Sequence, residues 1–215
     1  ESRAVAVGGQ VLTIKTPKDT YEEIFLPLHG KHQASNAAAA LVAVEAFFGD
    51  QELDYEAVLA GFANVQSPGR CEVLHRDPTI IIDAAHNPHG ARAITETIQN
   101  EFTFDEVIGV VAAMGDKDVQ GALVEFEKVM DSVIVTKNSS SRSMPVDEIE
   151  KIATSIFGAD RVFASDNLEE AIEKAIKDSE RPLSEDTLGI LITGSVVTVG
   201  EARTIVRKRF AKEGA

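Results

Sequence analysis

With 215 residues, 44% of them apolar, the chain is long enough to bury one large core or two small ones. A formal net charge of −14 disfavours a sequence-independent grip on a nucleic-acid backbone, which depends on clustered Lys and Arg, but leaves room for a small basic site for anionic small molecules. One cysteine, Cys71, permits no internal disulfide and fits a reducing, cytoplasmic setting, and no apolar run approaches the roughly 20 residues that cross a bilayer.

The chain opens ESRAVAVGGQ, without Met and without the basic-then-apolar pattern of a signal peptide. A processed product or an excised piece of a longer protein is the expectation. Residues 4–7, 11–15 and 21–28 are β-prone runs, with a hairpin signal at Gly8-Gly9 and a turn at 16–19. Residues 33–48 are rich in Ala and stop at Gly49, which predicts a helix, and a second helix is predicted over 54–63. His29, Lys31, His32, Gln33 and Asn36 crowd the start of the first of these helices. By themselves they read as a solvated helix entrance, because GKH is not a phosphate loop and neither G-x-x-x-x-G-K-[ST] nor G-x-G-x-x-G occurs. The stretch NVQSPGR at 64–70 marks a boundary, so residues 1–66 make a small α+β piece.

After it the pattern changes. Strands are expected at 71–75, Thr79–Asp83, 107–113, 132–136, 161–164 and 187–193, with a turn at 76–78. Helices are expected at 88–100, from the turn at 114–118 to 130, at 145–157 and 167–177, and at the C-terminus, where basic residues suit the negative end of the dipole. Loop 137–144 is long and polar, and 179–186 is an acidic linker. Strands alternating with helices of this length predict a mostly parallel sheet covered on both faces, a Rossmann-like α/β domain over residues 67–215. Cys71 falls in a strand in this reading and takes no catalytic role.

The stretch around which the rest is arranged is TIIIDAAHNPHGA, from Thr79 to Ala91. Its buried-strand residues run into Asp83 and His86, and Asn87-Pro88 then reads as a helix start, with Asn87 capping and Pro88 in the first turn. Ligands of open parallel sheets bind outside the carboxyl ends of strands, so Asp83 and His86 are candidate site residues. The plain alternative is a turn carboxylate beside a surface histidine. Three further polar turns follow strands: Gly115-Asp116-Lys117-Asp118, the Ser-rich loop near 138–143, and Gly194-Ser195. No metal-ligand spacing and no nucleophile elbow is present.

Taken together, HGKHQASNAAAAL at 29–41, PGRCEVL at 68–74, DAAHNPHGAR at 83–92, GDKD at 115–118 and TGSVVTVGEAR at 193–203 resemble folylpolyglutamate synthase, often bifunctional with dihydrofolate synthase, a member of the Mur ligase superfamily. The resemblance spans nearly the whole chain and implies the end of a central ATP-binding domain (1–66) followed by a complete C-terminal glutamate ligase domain (67–215). It implies ATP and magnesium as cofactors, with the metal held mainly by residues outside this chain, and folate or dihydropteroate and L-glutamate as substrates. It implies an acyl phosphate that the amine of glutamate attacks. By position, Asn36 matches an adenine contact, Arg70 an arginine that approaches the phosphates, Asp83 and His86 residues on the ribose and phosphate side, and Ser195 a glutamate-associated position. Asp116, Lys117 and Asp118 match a motif without an assigned role. The missing phosphate loop implies an inactive fragment of an active, monomeric ligase, with no nucleic-acid or membrane partner. The competing readings are another Mur-type amide ligase, such as a peptidoglycan-precursor or cyanophycin-type enzyme, and a non-catalytic nucleotide-binding module.

Overall fold

The computed structural model describes residues 2–180 and 187–211, and the chain falls into two units, Glu1–Pro68 and Gly69–Ala215. In the first, strands β1 (Ser2–Ala6), β2 (Gly9–Lys15) and β3 (Thr20–Leu26) form an antiparallel sheet in that order. The hairpin expected at Gly8-Gly9 turns one residue earlier, because Gly9 pairs with Ala6. Only Gly8 belongs to the turn, at φ 79°. Register shifts between Leu12 and Ile14, and Glu23 takes a φ of 55° opposite them. This bulge brings Tyr21 and Ile24, three residues apart, to the same buried face.

Helices α1 (Lys31–Phe48) and α2 (Tyr55–Ala63) complete that unit, with Ala34, Ala37 and Leu41 of α1 packing on Leu12, Ile14 and Ile24. Glu45 of α1 is 3% exposed, and its Oε1 accepts from Thr16 Oγ1 at 2.7 Å and from Tyr21 Oη at 3.1 Å. The one charge in the apolar stretch 36–48 thus points inward, where two hydroxyl donors offset the cost of burying it.

The second unit carries β4 (Glu72–Arg76), β5 (Thr79–Asp83), α3 (Pro88–Glu101), β6 (Glu106–Val111), α4 (Val119–Phe126), β7 (Ser132–Val135), α5 (Val146–Phe157), β8 (Val162–Ala164), α6 (Leu168–Ser179), β9 (Leu188–Thr193) and α7 (Val196–Ala211). Its sheet has the order β4-β5-β9-β6-β7-β8, with β4 antiparallel to β5 and every other pair parallel. The mostly parallel α/β fold expected from the strand–helix alternation is therefore what forms. Two-residue periodicity sorts the strand side chains between two cores. Ile81, Val107, Val111, Val133 and Leu191 pack with Ile94, Leu123, Phe126 and Ile149 of α3, α4 and α5. Ile80, Ile82, Ile108, Ile134, Ile190 and Ile192 pack on the other face with Ile172, Ile176, Val199 and Val206 of α6 and α7.

Several boundaries move. Cys71 lies just before β4 rather than inside it, at φ 44°. Helix α4 ends at Phe126, short of residue 130, because backbone turns close 127–130 and seat Met130 in the core. Of the linker at 179–186, Ser179 ends α6 and 181–186 lie outside the described residues. First-turn acids Asp147, Glu148, Glu169 and Glu170, and last-turn bases Lys208 and Arg209, sit where helix dipoles favour them. Among the described residues no helix is long and apolar enough to cross a membrane.

A second inward-facing acid joins α3 to α4. Glu125 accepts from Arg92 Nη2 at 2.8 Å and from Lys128 Nζ at 2.6 Å, and these bonds hold its carboxyl down at about 2. Because the folded pKa is depressed below the ordinary 4.5, the stability Glu125 contributes is present above about pH 4.5 and is lost as pH falls toward 2. Denaturant unfolding of Glu125→Gln is expected to lose that part of the acid dependence, and an acid limb identical to that of the parent chain would refute the assignment. Burial, then the hydrogen bond to Glu45, pushes the Tyr21 hydroxyl up to about 12. Above pH 10 the folded state therefore keeps a proton that the unfolded state releases, and stability falls with rising pH. Ultraviolet titration should show one tyrosine ionising near 12 and returning toward 10 in Glu45→Ala, whereas two ordinary tyrosines in the parent chain would count against this contact.

Candidate functional site at the carboxyl edge of the parallel sheet

Strand β5 ends in Asp83, which is 7% exposed, and each of its carboxylate oxygens accepts a backbone N–H. Cys71 donates to Oδ2 at 2.8 Å and Ala85 donates to Oδ1 at 2.8 Å. Asp83 thus ties the chain before β4 to the turn after β5. The Ala84 N–H adds a bond to Gly69 O at 2.9 Å. Burial pushes the Asp83 carboxyl up from its ordinary pKa. The two N–H donors, and then the positive charge of Arg70 and His86, oppose that shift.

Arg70 is exposed and sits between two residues with left-handed backbone, Gly69 at φ 75° and Cys71 at φ 44°. Gly69 is required twice over, by its conformation and because a Cβ there would stand 2.6 Å from Val199 Cγ1. For Cys71 the left-handed conformation costs about 1–2 kcal/mol, which the bond to Asp83 helps to offset. The Cys71 thiol is buried, and burial followed by the field of Asp83 pushes its pKa well up, so it stays a neutral thiol.

His86 is half-buried, and its Nδ1 lies 3.0 Å from Ala84 O. A carbonyl only accepts, so Nδ1 carries the proton and Nε2 is the ring's second polar position. The imidazole lines a small hollow with Val111, Ala113, Val119, Leu123 and Gly194. Beyond it Asn87 Oδ1 accepts from Gly90 N at 2.8 Å with Pro88 in the first turn of α3, the cap and helix start anticipated from the Asn-Pro pair.

The polar turns after β5, β9, β6 and β7 meet along this edge. Gly194 N donates to Ala85 O at 3.1 Å, and a Cβ on Gly194 would lie 2.6 Å from Ala112 O. Ser195, 2% exposed, accepts from Thr198 N at 3.0 Å and from Asn138 Nδ2 at 3.2 Å. Its hydroxyl is thus engaged within the protein, at the entrance of α7. Asn138 Nδ2 also donates to Thr198 Oγ1 at 3.0 Å, and Thr198 Oγ1 bonds Ala112 O at 2.7 Å. Asn138 and Thr198, which sequence reading did not single out, therefore join three of the four turns. Asparagine in a Ser-rich loop carries no sequence signal for this, although its position just past a buried strand is a weak one.

The GDKD turn divides its duties. Asp118 caps α4 through Gly121 N at 2.9 Å, while Asp116 pairs with Lys117 and with Arg142 of the Ser-rich loop, both at 3.6 Å. Arg70, Asp83, His86 and the Gly194-Ser195 turn thus share one edge of the second unit. Asn36 lies in the first unit, exposed on the opening turns of α1, where its Nδ2 donates to Gln33 Oε1 at 3.1 Å. Among the described residues no group of three or more His, Cys, Asp or Glu could hold a metal ion. An NMR titration of the Asp83 carboxyl is expected to give a midpoint above the ordinary value. Arg70→Ala should move it higher still, since it removes a positive charge that favours the ionised form. An unchanged or lower midpoint in the variant would remove Arg70 from this site.

The sequence and fold have counterparts in known proteins. Residues 69–196 match the family model described as Mur ligase, glutamate ligase domain. The dihydrofolate synthase/folylpolyglutamate synthase of Mycobacterium tuberculosis is 48% identical over 214 residues, covering 94% of this chain and 44% of that protein. The Escherichia coli dihydrofolate synthase/folylpolyglutamate synthase is 28% identical over 190 residues, covering 88% of the chain and 41% of the relative. A crystal structure of the M. tuberculosis folylpolyglutamate synthase complexed with ADP and AMPPCP superposes with a TM-score of 0.92 at 49% identity, over 96% of this chain and 47% of that one. The chain thus spans less than half the length of these relatives. The match to that family runs from the Gly69 turn through β9 to Val196 at the start of α7, and the chain belongs to the Mur ligase family, with residues 69–196 matching its glutamate ligase domain.

Proposed function

We propose that this chain is part of an ATP-dependent ligase that adds L-glutamate to folate or dihydropteroate, working in the cytoplasm as a monomer and without nucleic-acid or membrane partners. In this reading residues 1–66 are the tail of the central ATP-binding domain and residues 67–215 the glutamate ligase domain. The observation that carries it is the presentation of Arg70. An exposed arginine stands between two backbone N–H groups that a half-buried and a buried carboxylate accept, at the carboxyl edge of a parallel sheet where ligands of such folds bind.

A planar fork of donors fits phosphate oxygens and stabilises charge as it moves among them, so Arg70 takes the phosphate-facing role. His86, with Nδ1 committed to Ala84 O, offers Nε2 on the same edge. Asp83 has both oxygens engaged by backbone N–H groups, so a ribose hydroxyl would share a lone pair already near a donor. Its larger contribution is to hold Arg70 and His86 in place. Asn36 supplies an amide that donates and accepts, the pattern a purine edge needs. Ser195, buried and hydrogen-bonded, serves glutamate by shaping the β9–α7 turn rather than through a free hydroxyl. ATP, when bound, activates the folate carboxylate as an acyl phosphate for attack by the glutamate amine. Magnesium falls mainly to residues outside this chain in this reading.

The full-length parent protein should release ADP in a glutamate-dependent manner with a folate or dihydropteroate acceptor, and Arg70→Ala should lower kcat by about 100-fold or more while circular dichroism stays unchanged. Residues 1–215 alone should release none above background. Absence of release with either acceptor, or full turnover in the Arg70 variant, would overturn this function.

A further inference from the structure

We propose that Glu72 and Arg203 are positioning residues that set the backbone of Arg70 from the C-terminal helix; this rests on the phosphate-facing role given to Arg70 above. The Gly69 N–H donates to Glu72 Oε2 at 2.8 Å. The other oxygen of that carboxylate, Oε1, accepts from Arg203 Nε at 2.9 Å and, more weakly, from Arg207 Nη2 at 3.5 Å. The Glu72 side chain is 19% exposed and that of Arg203 34%, so the pair is partly desolvated and is screened less than a fully exposed one.

The pattern mirrors the one on the far side of Arg70. Cys71 N donates to Asp83 as Gly69 N donates to Glu72, so the residue between them has a carboxylate clamp on each flank. One clamp belongs to β5, and the other is governed by α7. Helix α7 touches this strip at a second point, because Val199 Cγ1 occupies the space that a side chain on Gly69 would need. The same helix begins at Val196, just past the Gly194-Ser195 turn that Gly194 bonds to Ala85, so one rigid rod runs from this edge to the Arg203 end of the clamp.

Glycine at 69 is free to rotate and the left-handed conformation at Cys71 is strained, so freeing either amide lets the peptide planes around Arg70 turn and displaces its guanidinium. Such a displacement is costly for a group that must be aligned with phosphate oxygens. Arg203 suits the task better than lysine, because its fixed Nε–H direction orients the carboxylate as well as neutralising it.

The test uses the full-length ligase and the variants Glu72→Gln, Arg203→Ala, Arg203→Lys and Arg70→Ala, with the Arg203→Ala/Arg70→Ala double variant. Expected are faster amide exchange at Gly69 in Glu72→Gln and Arg203→Ala, and kcat about 10-fold lower with a smaller change in KM for ATP. Arg203→Lys should be intermediate, and Arg203→Ala should have no further effect on kcat once Arg70 is alanine. The inference is overturned if Arg203→Ala retains parental kcat, or if its loss multiplies with that of Arg70→Ala, which marks an effect exerted elsewhere. Parental turnover in Arg70→Ala itself would overturn both the phosphate role and the positioning role, and that single variant tells the two failures apart.

Discussion

A carboxylate nine-tenths removed from water is costly unless its lone pairs are used, and Asp83 uses both oxygens on backbone N–H groups from two different segments. That double acceptance is the constraint on which the ligand edge depends. It pulls Cys71 into a left-handed conformation on one side and closes the turn at Ala85 on the other. Arg70 and His86 flank it as a result, and their charge opposes the upward shift that burial imposes on the acid. Binding group and structural staple are therefore electrostatically coupled, and neither can be altered without a response in the other.

Around this staple the sheet topology assembles the remaining parts. Strand β9, late in the chain, inserts between β5 and β6, so the Gly194-Ser195 turn lands beside the turn that carries His86. Hydrogen bonds from Asn138, Thr198 and Thr193 then join segments separated by up to 108 residues of sequence into one rigid margin. Preorganisation of this kind suits chemistry that consists mainly of holding phosphate and carboxylate groups in position. A chain of net charge −14 would meet the proposed anionic ligand here because Arg70 is exposed at this edge, while carboxylates elsewhere are paired or lie on helix surfaces.

Read along the chain, strand–helix alternation, the β-branched runs and the Asn87-Pro88 cap were enough to give the α/β class, the order of its elements and the strand end on which the site sits. The match of short motifs carried Arg70, Asp83, His86 and Ser195 to their positions. Boundaries shifted where a long-range contact outweighed a local preference. Gly9 joined its strand because it approaches the backbone of Leu26 and Pro27, and Cys71 left its strand because Asp83 claims its amide. The contacts that Asn138, Thr198, Glu72 and Arg203 make had no local signature, since an amide, a hydroxyl and an ion pair look the same wherever they occur in a sequence.

Sequence by itself determined what local physics governs: which stretches pleat or coil, where helices are capped, and that an ionisable pair stands at the mouth of a buried strand. Tertiary structure alone decided strand order and the partners of buried charge. Glu45 turns inward to hydroxyls and Glu125 to Arg92, partners dozens of residues away, and Asp83 acts as a clamp rather than a free acceptor. The physical reason is that desolvating a charge is compensated only by specific donors, and which donors arrive is settled when distant segments pack together.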